Sequence, residues 1–192
     1  MYTAFLDSCV LWPSTQRDFL LSLAFEGSYR FIFSEAVLAE IEANEEIKRL
    51  DRGDDSETAM RKARHLARQM RENFSDSIVV GWEGLEGTFG LPDIDDEHVL
   101  AAAVVGGAGS IVTENLRDFP RNKIPHGIQI ATAKEFSLEV VSMCPDLGLA
   151  AVRTLADRSG QQHARRSPEE ILDTLNRIYG LDAATTLIRA LL

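Results

Sequence analysis

The sequence predicts an α/β fold in which helices flank a mostly parallel sheet. Short apolar runs typical of buried strands alternate with segments of helical periodicity through the first 140 residues. The chain has 192 residues, of which 45% are hydrophobic, as expected for a globular protein with one core and a small appendage. We therefore expect an α/β domain over residues 1–140 and a C-terminal helical extension over residues 144–192.

The strand candidates are short, and several end next to a polar residue. The first run, Thr3 to Asp7, ends in an acid, as a buried strand with a polar tip would. The run Ser110 to Thr113 is followed by a second segment that contains acids, residues 114–118. The predicted strands lie at residues 3–7, 30–33, 77–80, 110–113 and 128–130.

Helical segments separate these strands. A helix is predicted after Pro13, another after the N-cap candidate Ser34, and an Ala-rich one that ends near Val105. A charged connection over residues 48–56 precedes a helix over residues 57–74, which is apolar on one face and basic on the other. The basic face forms an arginine stripe: Arg61, Arg64, Arg68 and Arg71.

The C-terminal part is predicted to be helical after a further helix that begins at Thr132. Three short helices are expected over residues 146–158, 167–178 and 182–192, and Ser167-Pro168 opens the second with a strong N-cap pattern. The polar, basic segment 160–166, which contains His163, joins the first two. This extension either packs on the core or recognises RNA or a protein partner.

Composition limits the functional classes. The longest apolar stretches, such as residues 99–105, are far shorter than the roughly 20 residues of a membrane span, and the N-terminus lacks the basic region of a signal peptide. We therefore expect a cytoplasmic protein without a membrane partner. Cys9 and Cys144 are too few for a disulfide framework or a thiolate metal site, and we expect both to be buried as small hydrophobic residues.

The net charge of −10 would ordinarily argue against a nucleic-acid partner, because phosphate binding draws on Lys and Arg. The acidity is not evenly distributed. Residues 1–133 carry 13 basic against 22 acidic residues, a charge of −9, whereas residues 134–192 carry 7 against 8. The negative charge therefore belongs to the predicted α/β domain.

Several polar residues follow the predicted strands directly. In an open parallel sheet, the functional site lies outside the carboxyl ends of the strands, where Asp7, Asn115 and Asp118 fall. Taken singly, such acids have ordinary structural explanations, for example a helix start or a turn. Asp7 fits these explanations least well, because a buried carboxylate is unfavourable unless something binds it. Further acids that could reach the same edge are Glu40, Asp93, Asp95 and Asp96.

A cluster of these acids would require protons or cations. Two carboxylates about 4 Å apart repel by roughly 4 kcal/mol at an effective dielectric constant near 20. All candidate ligands are oxygens and no His or Cys has zinc spacing, so Mg²⁺ is favoured, with Mn²⁺ as an alternative. We expect His65 and His98 at the surface or on the sides of helices.

Four blocks of sequence resemble the PIN-domain ribonucleases, especially the bacterial VapC-type toxins. Their order and spacing match over about residues 1–140, and four blocks in register are a specific signal where one alone would be weak. The blocks are Phe5 to Pro13, Ser34 to Ile41, Leu91 to Ala103 and Ile111 to Pro120.

The resemblance implies a PIN-like three-layer fold and a set of site residues. The catalytic and metal-binding acids would be Asp7, Glu40 (with Glu42 as a nearby competitor), Asp96 and Asp118. Asp93, Thr113 and Asn115 would support them, and Asn115 stands where the family usually has an acid. Apart from the resemblance, the arginine stripe and Arg117 are candidates for binding RNA phosphates; the alternative for the stripe is a solvated helix face.

The resemblance further implies a Mg²⁺-dependent endoribonuclease, the toxin of a toxin-antitoxin pair that cleaves cellular RNA to inhibit translation. Its partners would be the RNA substrate, a cognate antitoxin and a second copy of the chain in a homodimer. Alternatives are a housekeeping RNA-processing nuclease and a PIN-like module that binds RNA or protein without cleavage. A phosphatase with an aspartyl nucleophile at Asp7 is disfavoured, because that pattern wants an acid two residues on, where Cys9 stands.

Overall fold

A computed structural model describes residues 2–159 and 165–192. The predicted basic segment 160–166 falls outside these ranges except for its last two residues, so His163 is not described. Within the described residues, no helix is both long enough and apolar enough to cross a membrane.

A five-stranded sheet forms the centre of the α/β part, which confirms the predicted fold class. The strands run in the order β3-β2-β1-β4-β5. The pairs β1–β4 and β2–β3 are parallel, with Leu6 opposite Val112 and Ser34 opposite Val79. The strands are β1 (Thr3–Leu6), β2 (Arg30–Ser34), β3 (Ile78–Val79), β4 (Ser110–Val112) and β5 (Gln129–Ala131).

The helices correspond closely to the predicted ones, with two differences. Residues 8–11 form a short helix directly after the first strand. The predicted connection over residues 48–56 begins as helix, because Glu45 forms ion pairs with Lys48 and Arg49 and these cations favour a helix C-terminus. The helices are α1 (Ser8–Leu11), α2 (Ser14–Phe25), α3 (Glu35–Asp51), α4 (Ser56–Asn73), α5 (Glu97–Val105), α6 (Ala133–Met143), α7 (Pro145–Ser159), α8 (Pro168–Tyr179) and α9 (Asp182–Arg189).

Residues Thr3–Trp12 and Phe31–Ile130 form one compact unit, which we call the sheet unit. Its core contains the buried strands β1 and β4 and the apolar helix α5. Close packing has a clear consequence at Gly106, where a Cβ would collide with the side chains of Ile32 and Val79. A larger residue where α5 ends would therefore force these two side chains to move.

The remaining residues form a helical unit, built from Pro13–Arg30 and Ala131–Leu192 together with the N-terminal end. Tyr29 is fully buried there, donates a hydrogen bond to the carbonyl of Leu20 at 2.9 Å and packs edge-on against Phe136. The N-cap predicted at Ser167 is present as a capping box. Helix α2, assigned by sequence to the domain over residues 1–140, belongs to this unit, and the boundary expected near residues 140–144 stays a prediction.

Candidate active site

Asp7 lies at the carboxyl end of β1, where the sequence placed it. Its backbone N–H donates to the carbonyl of Val112 in the neighbouring strand β4 at 3.1 Å, so the two strand ends hold it in place. Its side chain caps α1 by accepting a hydrogen bond from the Ser8 N–H at 2.6 Å. Only 3% of Asp7 is exposed. A carboxylate this buried requires further donors.

Two side chains supply those donors to the second oxygen of Asp7. The Thr113 hydroxyl donates to Oδ2 at 2.6 Å, and the Cys9 thiol donates to the same oxygen at 3.1 Å. The backbone N–H of Asn115 in turn donates to the Thr113 hydroxyl at 3.0 Å. The segment after β4 therefore fixes the orientation of Asp7 through the Thr113 hydroxyl.

The Cys9 thiol is a polar partner of the site, so the expectation of a buried hydrophobic residue was wrong. Burial, followed by the charge of Asp7, raises the pKa of Cys9 to about 12. The thiol therefore stays protonated and donates to Asp7. Cys144, expected to be buried in the same way, is partly exposed.

Asp96 is the residue at which the acids meet. It ends a 3-10 turn, Ile94–Asp96, directly before α5 and is half-buried. Burial, followed by the charges of Asp7, Asp118 and Asp93, raises the pKa of Asp96 to about 7. Three other predicted acids, Asp7, Asp93 and Asp118, are thus close enough to act on Asp96.

The other two members of this acidic cluster lie in turns. Asp118 ends a 3-10 turn after β4, where its N–H donates to the carbonyl of Asn115 at 3.0 Å. Asp93 is exposed and caps the turn before α5 by accepting from the Asp95 N–H at 2.9 Å. Both are therefore held by local backbone geometry. We define the acidic cluster as Asp7, Asp93, Asp96 and Asp118.

Glu40 is not among the acids that raise the pKa of Asp96. Its Oε1 lies 2.7 Å from Nε2 of His98, and the Ser8 side chain also forms a hydrogen bond to it. Burial would raise the pKa of Glu40, but these hydrogen bonds lower it below its usual value. Glu40 is thus joined to the acidic cluster through Ser8, the residue after Asp7, and through His98, which follows Asp96 by two positions.

His98 was expected at the surface or on the side of a helix, and it lies on a helix but is buried at the site. The residue is 6% exposed and lies on α5. Burial would lower the pKa of His98, but the hydrogen bond and the charge of Glu40 raise it. The pair spans 58 residues of sequence, so no local pattern could reveal it. His65, by contrast, is exposed as expected.

The competitor for the role of Glu40 is engaged elsewhere. Glu42 lies on α3 and its carboxylate is 3.6 Å from the guanidinium of Arg64 on α4. Glu40 is instead bound to Ser8 and His98 beside the acidic cluster. The structure therefore favours Glu40 of the two.

A divalent cation suits the chemistry of the acidic cluster. Its donors are carboxylate oxygens, which Mg²⁺ and Mn²⁺ prefer, and a bound cation would remove the repulsion that raises the pKa of Asp96. Among residues 2–159 and 165–192, no three His, Cys or acidic side chains already stand at ligand positions. Mg²⁺ does not require such a cage, because it usually keeps several waters and binds through one or two carboxylates.

A comparison with protein-family models identifies the family of the chain. The model of the PIN domain matches residues 3–117, which is more than half of the chain. The chain therefore belongs to the PIN-domain family, whose members are generally nucleases and typically use divalent metal ions. The match ends one residue before Asp118. No curated protein and no solved structure shows a significant match to the chain.

Proposed function

We propose that this PIN-domain protein is a Mg²⁺-dependent endoribonuclease. The observation that carries the proposal is the convergence of Asp7, Asp93 and Asp118 on the half-buried Asp96, whose pKa rises to about 7. Structural carboxylates are normally satisfied by cations or backbone donors of the protein itself. Asp96 instead faces other acids, an arrangement typical of a site that binds a cation.

Asp7, Asp96 and Asp118 would hold the metal, with Glu40 binding directly or through water. A bound Mg²⁺ or Mn²⁺ would lower the pKa of a water molecule and neutralise charge on the departing oxygen of the phosphodiester. The chain itself keeps the ligands in orientation. Thr113 and Cys9 hold one oxygen of Asp7, and His98 holds one oxygen of Glu40.

The cleavage proposal is tested with the Asp7→Asn variant. Sequencing RNA 5′ ends after induction of each protein should show new ends for the unmodified chain that the variant lacks. With purified proteins, Mg²⁺-dependent cleavage should fall by at least about 100-fold, because removing even an outer partner of a metal ligand typically reduces activity 10- to 100-fold. EDTA should abolish cleavage by the unmodified chain.

Asp95→Asn is the matched control, since Asp95 is exposed and lies outside the acidic cluster. It should cleave as the unmodified chain does. Identical RNA end profiles for the unmodified chain and Asp7→Asn would contradict the nuclease proposal.

We further propose that the enzyme is the toxin of a toxin-antitoxin pair, acting as a homodimer on cellular RNA in the cytoplasm. The four sequence blocks shared with VapC-type toxins support this role, and so does an acidic cluster that a basic side chain of an antitoxin could neutralise. Expression of the chain should arrest growth, and co-expression of a small neighbouring reading frame should restore it. Normal growth on expression would favour housekeeping RNA processing instead.

A further inference from the structure

An acidic protein that binds RNA needs cations that are free to meet phosphates. Three of the four arginines in the predicted stripe on α4 already form ion pairs with carboxylates. Arg71 forms a two-pronged ion pair with Glu35, at 2.8 and 2.7 Å. Arg64 lies 3.6 Å from Glu42, and Arg68 lies 4.0 Å from Glu72. A phosphate that bound there would have to displace these partners.

A second group of cations lies between β4 and β5. We define the basic loop as residues 117–126, which contain Arg117, Arg121 and Lys123. All three side chains are exposed. Within the described part of the chain, none of them lies within ion-pair distance of a carboxylate. The basic loop also contains Asp118 of the acidic cluster, but no ion pair among the described residues engages its three cations.

The basic loop is next to the acidic cluster in two places. Arg117 directly precedes Asp118 in the turn after β4. The ammonium of Lys123 lies 3.4 Å from the point where a Cβ would stand at Gly90, three residues before Asp93. The loop thus contacts a second segment that leads into the acidic cluster.

The backbone of the basic loop is held in a defined shape. Phe119 is 3% exposed and anchors the loop between its first two cations. Two turns follow, in which the N–H of Lys123 donates to the Pro120 carbonyl at 2.8 Å and that of Ile124 to the Arg121 carbonyl at 3.4 Å. Cations on a fixed backbone lose less conformational entropy when they bind a phosphate than cations on a disordered one.

We propose that the basic loop is the surface that binds the phosphates of single-stranded RNA flanking the acidic cluster. This inference rests on the proposed nuclease function for the identity of its ligand. Phosphate contacts fix the position of a nucleic acid without reading its sequence. The basic loop therefore sets the register of the strand over the acidic cluster, and the three paired arginines of the stripe on α4 do not.

The test compares two triple variants of equal charge, both in an Asp7→Asn background so that the RNA stays intact. One variant changes Arg117, Arg121 and Lys123 to Gln, and its matched control changes the three paired arginines of the stripe to Gln: Arg64, Arg68 and Arg71. Binding of a fluorescently labelled single-stranded RNA is measured by anisotropy between 50 and 200 mM salt. Thermal unfolding of each variant serves to check that it is folded.

Each phosphate contact contributes about 0.7 to the slope of log affinity against log salt for a single strand. Loss of three contacts should lower the slope by about 2, so the basic-loop variant should lose about 20-fold less affinity over this salt range than its parent. The control should keep the parent slope. Single Gln variants of the basic loop should each lower the slope by about 0.7.

An unchanged slope in the basic-loop variant would overturn the proposal, and so would a lowered slope in the control. Absence of RNA binding by the parent would overturn it as well. Failure of the nuclease proposal has a different signature. In that case the chain with Asp7 intact would not cleave RNA, while the slopes of the three proteins could still be compared.

Discussion

Replacing Asp96 by Asn should make the metal-free protein more stable. Burial and the charges of Asp7, Asp118 and Asp93 raise the pKa of Asp96 from 3.8 to about 7. One pKa unit corresponds to about 1.36 kcal/mol, so the ionised carboxyl would destabilise the folded state by about 4 kcal/mol at most. Asp96 is partly exposed, and solvent screening reduces this figure to about 2 kcal/mol.

The sign of the pH dependence follows from linkage. An acid whose pKa is higher in the folded than in the unfolded state binds more protons when folded, so stability falls as the pH rises. For Asp96 the penalty grows from about pH 4 and is complete above about pH 7. Asn carries no charge, so the variant should be more stable by about 2 kcal/mol at pH 8 and by about half as much at pH 5.5.

Thermal unfolding in EDTA at pH 5.5 and pH 8 measures this difference. For a chain of this size, about 2 kcal/mol at pH 8 corresponds to a rise in Tm of roughly 4–8 °C. The exposed neighbour provides the control, since Asp95→Asn should change stability by less than about 0.5 kcal/mol. Addition of Mg²⁺ should narrow the gap by stabilising the unmodified chain. Equal stability of the two proteins at pH 8, or an advantage that grows as the pH falls, would refute the reasoning.

Two further substitutions test the supports of the site. Thr113→Val removes a donor to the buried Asp7, so it should lower the free energy of unfolding by about 1–3 kcal/mol and reduce cleavage by roughly 10- to 100-fold. Thr113→Ser keeps the hydroxyl and should restore most of the activity; equal loss in both would contradict the assigned hydrogen bond. Glu97→Gln should destabilise the protein by about 2 kcal/mol in urea unfolding at pH 8, because Glu97 accepts hydrogen bonds from the N–H groups of Phe89 and Leu91 and an amide offers them only one oxygen. Unchanged unfolding would show that these bonds do not hold the segment.

The sequence was sufficient for the sheet and for most helices, because both depend on local patterns. Each predicted strand is present within a residue or two, and the N-cap at Ser34 accepts from the Val37 N–H as expected. Helix α1 was not predicted, since four residues are too few for a periodic signal. The predicted end of α3 was wrong. Its last turn depends on ion pairs of the buried Glu45 with Lys48 and Arg49, whereas the high charge of residues 48–56 suggested a connection.

The site was predictable only as far as general rules apply. The rule that functional groups follow the carboxyl ends of parallel strands placed Asp7 and Asp118. It says nothing of His98, whose role depends on a contact with Glu40 on another helix. The same limit applies to the arginine stripe, because periodicity shows which side chains share a face and not which carboxylates lie opposite them.

Two adjacent acids at the start of α5, Asp96 and Glu97, show that the surroundings of a carboxylate decide its effect on stability. Glu97 is buried, which alone would raise its pKa, but backbone N–H groups at Leu91, Phe89 and neighbouring positions lower it. Asp96, one residue earlier, has three acids among its strongest influences, and its pKa is raised. Glu97 therefore has its charge satisfied by the protein and serves the fold, since it fixes the segment that leads to Asp93. The charge of Asp96 is not compensated by the protein and is available to a ligand. The two carboxylates therefore have opposite effects on stability, and of the two only the replacement of Asp96 should make the fold more stable.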